Sequence, residues 1–296
     1  MLATQVCVGC VDRGRDRRCY TWRRMGQLSI GIKALVRLDD TEIGDTSRAN
    51  REDMDGRAER LIAAALQAWA GAILRGVNAS NVQQLPARVT DPAIVGPMRD
   101  ALIAVLQSAA EAGVDYGQEV IEGQVLGVKF DNPQGLFNWE LANEIARRWA
   151  IRYGSMLIKD IAEVTRQAIN TEVAYFVDNS LTINQLRDRI TDLGAFGEAR
   201  ARRIAVTEVT RAYAEGNLQA WANSGVAKKK RWNTAVDELV CPICAPLHRH
   251  VVATNELFAG LYHSPPAHPN CRCSVTPVVD VPDIDASAYG VSAEIT

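Results

Sequence analysis

Apolar residues recur every three to five positions through most of the first 225 residues, the spacing of one buried face of an α-helix. Glu52 to about Val77 and Pro97 to about Ile121 show this pattern and are rich in Ala and Leu, so we predict a helix over each stretch. The strongest pattern runs from Asn138 to about Asp178. It predicts one long helix, or two helices that meet near Gly154.

Two further helices and two breaks complete the helical part. Thr182–Leu193 predicts a short helix, and Phe196 to about Asn223 predicts a longer one. Asn78–Pro97 contains three prolines and therefore cannot form one regular element, and Gly123–Gly135 is a second break. Residues 1–50 are rich in Arg and Asp with little periodicity, so weak order is predicted there.

The character of the chain changes after Gly225. Trp232-Asn-Thr predicts a short strand, and the sequence up to about Val279 is dense in Cys, His, Pro and Gly. The predicted fold class is therefore mainly α (α+β), with a long-helix N-terminal region followed by a small zinc-stabilised C-terminal module with short strands. The predicted division is a weakly ordered segment (1–50), a helical domain (51–180), a second domain (181–280) that ends in the Cys/His module (225–279), and a tail (281–296).

Composition and charge exclude several classes of protein. The chain has 296 residues, of which 47% are hydrophobic and 23% charged, as in a soluble globular protein. The formal net charge of -2 provides no overall field that would attract nucleic acid or an anionic membrane. The longest nearly apolar run, Leu61–Leu74, is shorter than the about 20 residues that cross a bilayer, so no membrane partner is predicted.

The first 24 residues contain six arginines and no apolar segment followed by a cleavage site, so we predict a protein that stays in the cytoplasm where it is made. Met25 follows this segment directly, which leaves open whether residues 1–24 are translated.

Cysteines in a reducing compartment stay as thiols unless a metal binds them. Cys7, Cys10 and Cys19 supply only three of the four ligands that zinc usually takes, so we predict solvated thiols at that end.

The other four cysteines and all four histidines fall in the 33-residue window from Cys241 to Cys273. The spacing Cys241-Pro-Ile-Cys244 lets a tight turn present two thiolates to one tetrahedral ion. Cys271-Arg-Cys273 places two sulfurs on the same side of an extended segment. Two such pairs predict a structural zinc site, because soft thiolates select zinc and four protein ligands leave no position for a catalytic water.

Five donors compete for four positions in this site: Cys241, Cys244, His268, Cys271 and Cys273. Four sulfurs, or three sulfurs and one imidazole, both satisfy tetrahedral zinc, so the ligand set stays open at this point. The alternative is a set of free thiols with surface histidines, and a disulfide is disfavoured because no export signal is present. His248, His250 and His263 are predicted to be loop residues, although one of them could join a catalytic site.

A basic run precedes the cysteine cluster. Lys228, Lys229, Lys230 and Arg231 lie in the stretch Leu186–Trp232, which has ten Lys and Arg against five Asp and Glu. Such a patch could make a weak contact with DNA phosphates. The alternative is a solvated helix face and loop.

Several of these motifs together resemble the phage Mu protein F-like head morphogenesis family. The resemblance covers about residues 185 to 279 and rests on the helix Ala201–Tyr213, Gly225-Val, Trp232-Asn-Thr, Asp237, Cys241-Pro-Ile-Cys244 and His268-Pro-Asn-Cys-Arg-Cys273. It implies a minor head protein of a tailed phage or prophage, made in the host cytoplasm and located in the virion head. It also implies a portal, capsid or scaffold partner, a role in procapsid assembly or DNA delivery, and packing of the helix with Thr207, Glu208 and Arg211 against the cysteine module.

The sequence favours a non-enzymatic assembly protein, with no catalytic residue assigned. The main alternative is a zinc-supported HNH-like nuclease, for which His248-Arg-His250 is a loose match. Zinc deaminase chemistry needs a histidine ahead of the cysteine pair, and no histidine precedes Cys241.

Overall fold

The computed structural model describes residues 40–125, 138–225, 227–235, 237 and 239–278. Six α-helices occupy most of this part: α1 (Asp40–Leu74), α2 (Leu85–Val89), α3 (Pro92–Val125), α4 (Trp139–Asp178), α5 (Ile183–Thr191) and α6 (Glu198–Ser224). Three short strands follow: β1 (Lys229–Asn233), β2 (Val251–Ala253) and β3 (Ser274–Val278). The predicted fold class, long helices followed by a small module with short strands, is confirmed.

The predicted domain boundaries remain a prediction. Residues 40–50 of the predicted N-terminal segment form the first part of α1. The rest of that segment, 1–39, and the predicted tail, 281–296, lie outside the described residues.

Helix α3 lies at the centre of the helical part, where it packs against α1, α4 and α6. Its contact with α6 is close because glycines lie at the crossing. A Cβ atom on Gly216 would be 2.0 Å from the carbonyl oxygen of Ala110, and one on Gly113 would be 2.2 Å from that of Tyr213. The two backbones are therefore near van der Waals contact, which only glycine permits. One buried cluster continues from Ala58 in α1 to Val275 in β3, so the module and the helices share a core.

Helix α4 is continuous through Gly154, so of the two predictions for this stretch the single helix is correct. Gly154 is buried, and a Cβ atom there would lie 2.7 Å from Cγ1 of Ile103 in α3. The glycine thus permits close packing and does not mark a break. The helix begins after Asn138, whose side chain accepts a hydrogen bond from the backbone N–H of Leu141, as an N-cap residue does.

The proline-rich connector is shorter than predicted. A 3₁₀ turn (Val82–Gln84) and α2 fill its first part, and α3 begins at Pro92, five residues before the predicted start. Pro92 is compatible with the first turn because its missing N–H would have no partner there. Pro97 lies inside α3 and removes one backbone hydrogen bond.

The strands form one antiparallel sheet with the order β2-β1-β3. The predicted strand at Trp232–Thr234 is displaced, because β1 begins at Lys229 and includes most of the basic run. Lys230 lies opposite Val252 in β2 and Pro277 in β3, so it is in the middle strand. Its side chain and that of Trp232 are fully buried.

Within the described residues, one stretch is long and apolar enough to cross a membrane by length and composition alone. It is Val82–Ile121, with a mean hydropathy of 1.2 over its most apolar window. It includes most of α3, whose Met98, Leu102, Leu106 and Val114 are buried against the other helices. This is how the core helix of a globular protein passes the same test.

Candidate metal centre

The first two sulfur donors lie on a tight turn ahead of a 3₁₀ helix (Ala245–Leu247). The backbone N–H groups of Cys244 and Ala245 both donate to the carbonyl oxygen of Cys241, at 3.1 and 3.0 Å. The N–H of Cys244 also lies 3.4 Å from the Cys241 sulfur. The two-residue spacing therefore forms a tight turn that directs a backbone N–H group towards the Cys241 sulfur.

The other three donors lie on the loop that leads into β3. Asn270 has a φ of 59°, in the left-handed region that Asn adopts more readily than most residues. The resulting turn lets the N–H of Cys271 donate to the carbonyl oxygen of His268 at 3.2 Å. Cys271 and Cys273 are both buried and Arg272 between them is partly exposed, so the two sulfurs share the inner side of this segment as predicted.

The imidazole of His268 is held in one tautomer by its neighbouring backbone. Nδ1 is 2.8 Å from the carbonyl oxygen of Pro269, and a carbonyl oxygen can only accept, so Nδ1 carries the proton. In the neutral ring, Nε2 then carries the free electron pair that a metal ligand needs. It lies 3.1 Å from the Cys241 sulfur and 3.3 Å from the Cys244 sulfur. A hydrogen bond of this kind, from the far ring nitrogen to a carbonyl oxygen, orients metal-binding histidines in proteins.

The five donors form two overlapping groups. Cys241, Cys244 and His268 lie within 4.8 Å of one another, and so do Cys244, Cys271 and Cys273. Cys244 belongs to both groups, and its sulfur is 3.8 Å from that of Cys271. The structure thus brings together every residue that the sequence assigned to the site. These groups could hold a metal ion, and the choice of four ligands among the five stays open.

The electrostatics of the buried sulfurs favour a cation among them. A hydrogen bond from Cys273 lowers the pKa of Cys271 to about 5, so that sulfur is a thiolate at neutral pH. Burial, followed by the charge on Cys271, raises the pKa of Cys244 to about 12, and the pKa of Cys273 is raised as well. Several neighbouring sulfurs can therefore be ionised together only when a cation neutralises them, as zinc does. The residues fit such an ion.

Helix α6 fixes the loop that carries three of the donors. The Thr207 hydroxyl accepts a hydrogen bond from the N–H of Asn270 at 3.0 Å, and the Thr210 hydroxyl donates to the carbonyl oxygen of Cys271 at 3.3 Å. These two threonines lie on α6, the helix that the family resemblance implies packs against the module. Sequence analysis named Thr207 but not Thr210, although the two share one helix face by their three-residue spacing.

Two arginines add contacts from either side of the loop. The guanidinium of Arg272 binds the carboxylate of Asp237 in a bidentate pair at 2.7 and 2.8 Å, which ties the loop to the segment ahead of Cys241. Arg51 of α1 is 4% exposed and donates to the Thr210 hydroxyl at 2.9 Å and to the carbonyl oxygen of Arg272 at 3.3 Å. No local pattern marks Arg51, because its partners are 159 and 221 residues away in the sequence.

The three remaining histidines lie outside both donor groups. Nδ1 of His248 is 2.9 Å from the Thr234 hydroxyl, the ring of His250 packs against Phe258, and His263 contacts Lys230. Their assignment as loop residues agrees with these positions. Lys230 points inward to His263 and is therefore not part of an exposed basic patch. The contact of the basic run with phosphate remains a prediction.

The site lies inside a region that matches a protein-family model. Residues 167–276 match the family model described as Phage Mu protein F like protein. This region is similar to the phage Mu protein F-like family. The matched region begins within α4, includes α5, α6 and all five donors, and ends within β3. The resemblance seen at residues 185–279 is therefore confirmed, with a start that lies further upstream. Neither the curated proteins nor the solved structures contain a match to this chain.

Proposed function

We propose that this chain is a phage head morphogenesis protein whose Mu F-like region is held in shape by a structural zinc ion. The observation that carries the proposal is the placement of five buried or half-buried Cys and His donors inside the matched region. Zinc suits this donor set because thiolates and imidazole in tetrahedral arrangement select it. Its chemistry here is structural, since four protein ligands leave no open position for substrate.

The chain's own residues define what the ion would stabilise. Cys241 and Cys244 lie on one segment, and His268, Cys271 and Cys273 lie on another that continues into β3. An ion bound between them joins the start of the module to its last strand. The module has little regular secondary structure. A bound ion would therefore add to its free energy of unfolding, beyond what the small sheet contributes.

We further propose that the protein is a minor capsid protein of a phage or prophage, acts without catalysis, and is located in the virion head after assembly in the host cytoplasm. Its proposed partners are the portal, capsid or scaffold proteins. The family match supports the head role. Exposed apolar side chains on α4, such as Met156 and Val164, could supply contact area on the helical part.

Co-expression with the portal and major capsid proteins of the same phage tests this proposal. We expect the full chain to co-elute with at least one of them in size-exclusion chromatography at moderate salt. Met156→Glu should weaken the complex if α4 makes the contact. Asn170→Ala, at an exposed polar position of the same helix, is the control and should leave the complex intact.

Two results would contradict the head role. One is the absence of a complex with the portal, capsid and scaffold proteins. The other is magnesium-dependent cleavage of plasmid DNA that is lost in His250→Ala, which would identify the protein as a nuclease.

A further inference from the structure

A charged side chain from outside the family region is buried next to the metal-binding loop. Arg51 lies on α1, whereas the matched region begins at residue 167. Arg51 is 4% exposed, and its guanidinium reaches the backbone of the loop at Arg272, between Cys271 and Cys273. A buried guanidinium stays protonated and therefore requires negative charge nearby.

One carboxylate near Arg51, that of Asp55, does not serve Arg51 alone. Asp55 lies one turn further along α1 and interacts with both Arg51 and Arg202. Burial raises the pKa of Asp55 to about 6, and its Oδ1 atom is buried without a hydrogen-bond partner. The carboxylate is therefore poorly stabilised as an anion and is shared between two arginines.

Sulfur is a further source of negative charge near Arg51. Burial lowers the pKa of Arg51, while Asp55, Tyr213, Cys271 and Cys273 oppose this effect. A divalent ion held by three thiolates and an imidazole has a net charge of about −1, and one held by four thiolates about −2. Such a centre carries excess negative charge inside the protein, whichever four donors bind.

We propose that Arg51 is the positioning counter-ion of the metal centre: its buried guanidinium balances the anionic metal–thiolate group and fixes the Arg272 backbone between two of the sulfurs. This inference rests on the proposed zinc site. It makes α1 part of the metal-binding unit, although α1 lies outside the matched region. Metal affinity and the packing of α1 are then linked, so each stabilises the other.

The test compares two conservative variants of the full-length protein. Arg51→Lys keeps the positive charge, and Arg51→Gln keeps a hydrogen-bond donor but removes the charge. Arg57 provides the matched control, because it is on the same helix, is 62% exposed and pairs with Asp53 at the surface. The zinc dissociation constant is measured by competition with a chromophoric chelator under reducing conditions.

We expect Arg51→Gln to weaken zinc binding by about tenfold to a hundredfold, the range found for residues that support metal ligands. The zinc dissociation constant of Arg51→Lys should stay within about threefold of the wild-type value. That of Arg57→Gln should equal the wild-type value. The melting temperature should fall more for Arg51→Gln with zinc than after removal of zinc, because the counter-ion acts on the loaded centre. If Arg51 had a purely structural role, Arg51→Gln would lower the melting temperature by the same amount with and without zinc.

Three outcomes would overturn the proposal. They are an Arg51→Gln affinity equal to the wild type, an Arg51→Lys loss as large as that of Arg51→Gln, and equal melting shifts with and without zinc. Failure of the wild type to bind zinc is a separate result. It would reject the proposed metal site itself, and the role of Arg51 with it.

Discussion

At the scale of single residues, Lys230 shows how a charged side chain is accommodated inside the module. Its ammonium donates to the carbonyl oxygen of His263 at 2.7 Å and lies 3.2 Å from Nδ1 of the same residue. An ammonium has only donors, so Nδ1 accepts and the ring proton lies on Nε2. The ring of Phe258 covers the ammonium at 5.4 Å from its centroid. The loop that contains His263 is thereby tied to the central strand.

The burial of Lys230 could have been predicted from the sequence. Side chains alternate across a strand, so Lys230 shares a face with Trp232, and an apolar Trp predicts that this face is buried. The run Lys228–Arg231 is therefore not one basic patch, because the strand alternation places Lys230 on the buried face. The contacts of Arg51 could not have been predicted from the sequence, because its partners are far away along the chain and meet it only through the packing of α1 against α6.

Stability should depend on pH through Lys230. Burial lowers the pKa of this lysine from 10.5 to about 8. Between these values the unfolded chain keeps a proton that the folded protein has lost, so the stability of the wild type rises with pH. The difference in unfolding free energy between wild type and Lys230→Met should therefore rise by about 1.4 kcal/mol per pH unit across this range.

Denaturant unfolding of both proteins, loaded with zinc and measured at several pH values, tests this expectation. Lys229→Met, at an exposed position of the same strand, is the control for the loss of a lysine. It should change the free energy of unfolding by no more than about 0.5 kcal/mol at pH 7. A difference that stays constant between the two pKa values would show that Lys230 keeps an ordinary pKa.

At the scale of elements, most of the helices follow from periodicity, whereas their contacts do not. The first helix is an exception, because α1 begins at Asp40 and not at the predicted Glu52. Four of the predicted helices have boundaries within a few residues of α4, α5, α6 and the end of α3, because an amphipathic stripe is a local property. Gly154 shows the limit of such reasoning. A glycine in a helical pattern indicates either a break or a close contact, and the choice depends on whether another helix, here α3, lies against it.

The α3–α6 crossing should be the part of the fold most sensitive to small substitutions. Gly216→Ala places a Cβ atom 2.0 Å from the Ala110 carbonyl oxygen, a backbone atom that can move only with its helix. We expect a loss of about 3 kcal/mol or more in unfolding free energy, which denaturant titration measures.

Gly71→Ala is the matched control for this effect. Gly71 lies in α1 with no atom within 4 Å of an added Cβ, so the greater helix propensity of Ala should make this variant more stable by about 0.5–1 kcal/mol. Equal effects of the two substitutions would show that the helices are not in backbone contact at Gly216.

At the scale of the whole molecule, a helical body and a small cysteine module share one core, and a cluster of donors lies where they meet. Cys spacing was sufficient to predict the donors, since two close pairs with a nearby histidine are the pattern of a structural zinc site. It was not sufficient to choose four ligands of five, because Cys244 lies between the two groups. Spacing also gave no information on the support from Thr207, Thr210 and Arg51, which comes from other elements.

The metal content of the purified protein tests the central claim most directly. Native mass spectrometry of protein prepared under reducing conditions without chelator gives both the identity and the number of bound ions. The account predicts one zinc ion per chain, which is lost on acid denaturation and whose removal lowers the melting temperature. Protein that carries no metal, even after addition of zinc, and melts at the same temperature with and without chelator would contradict it.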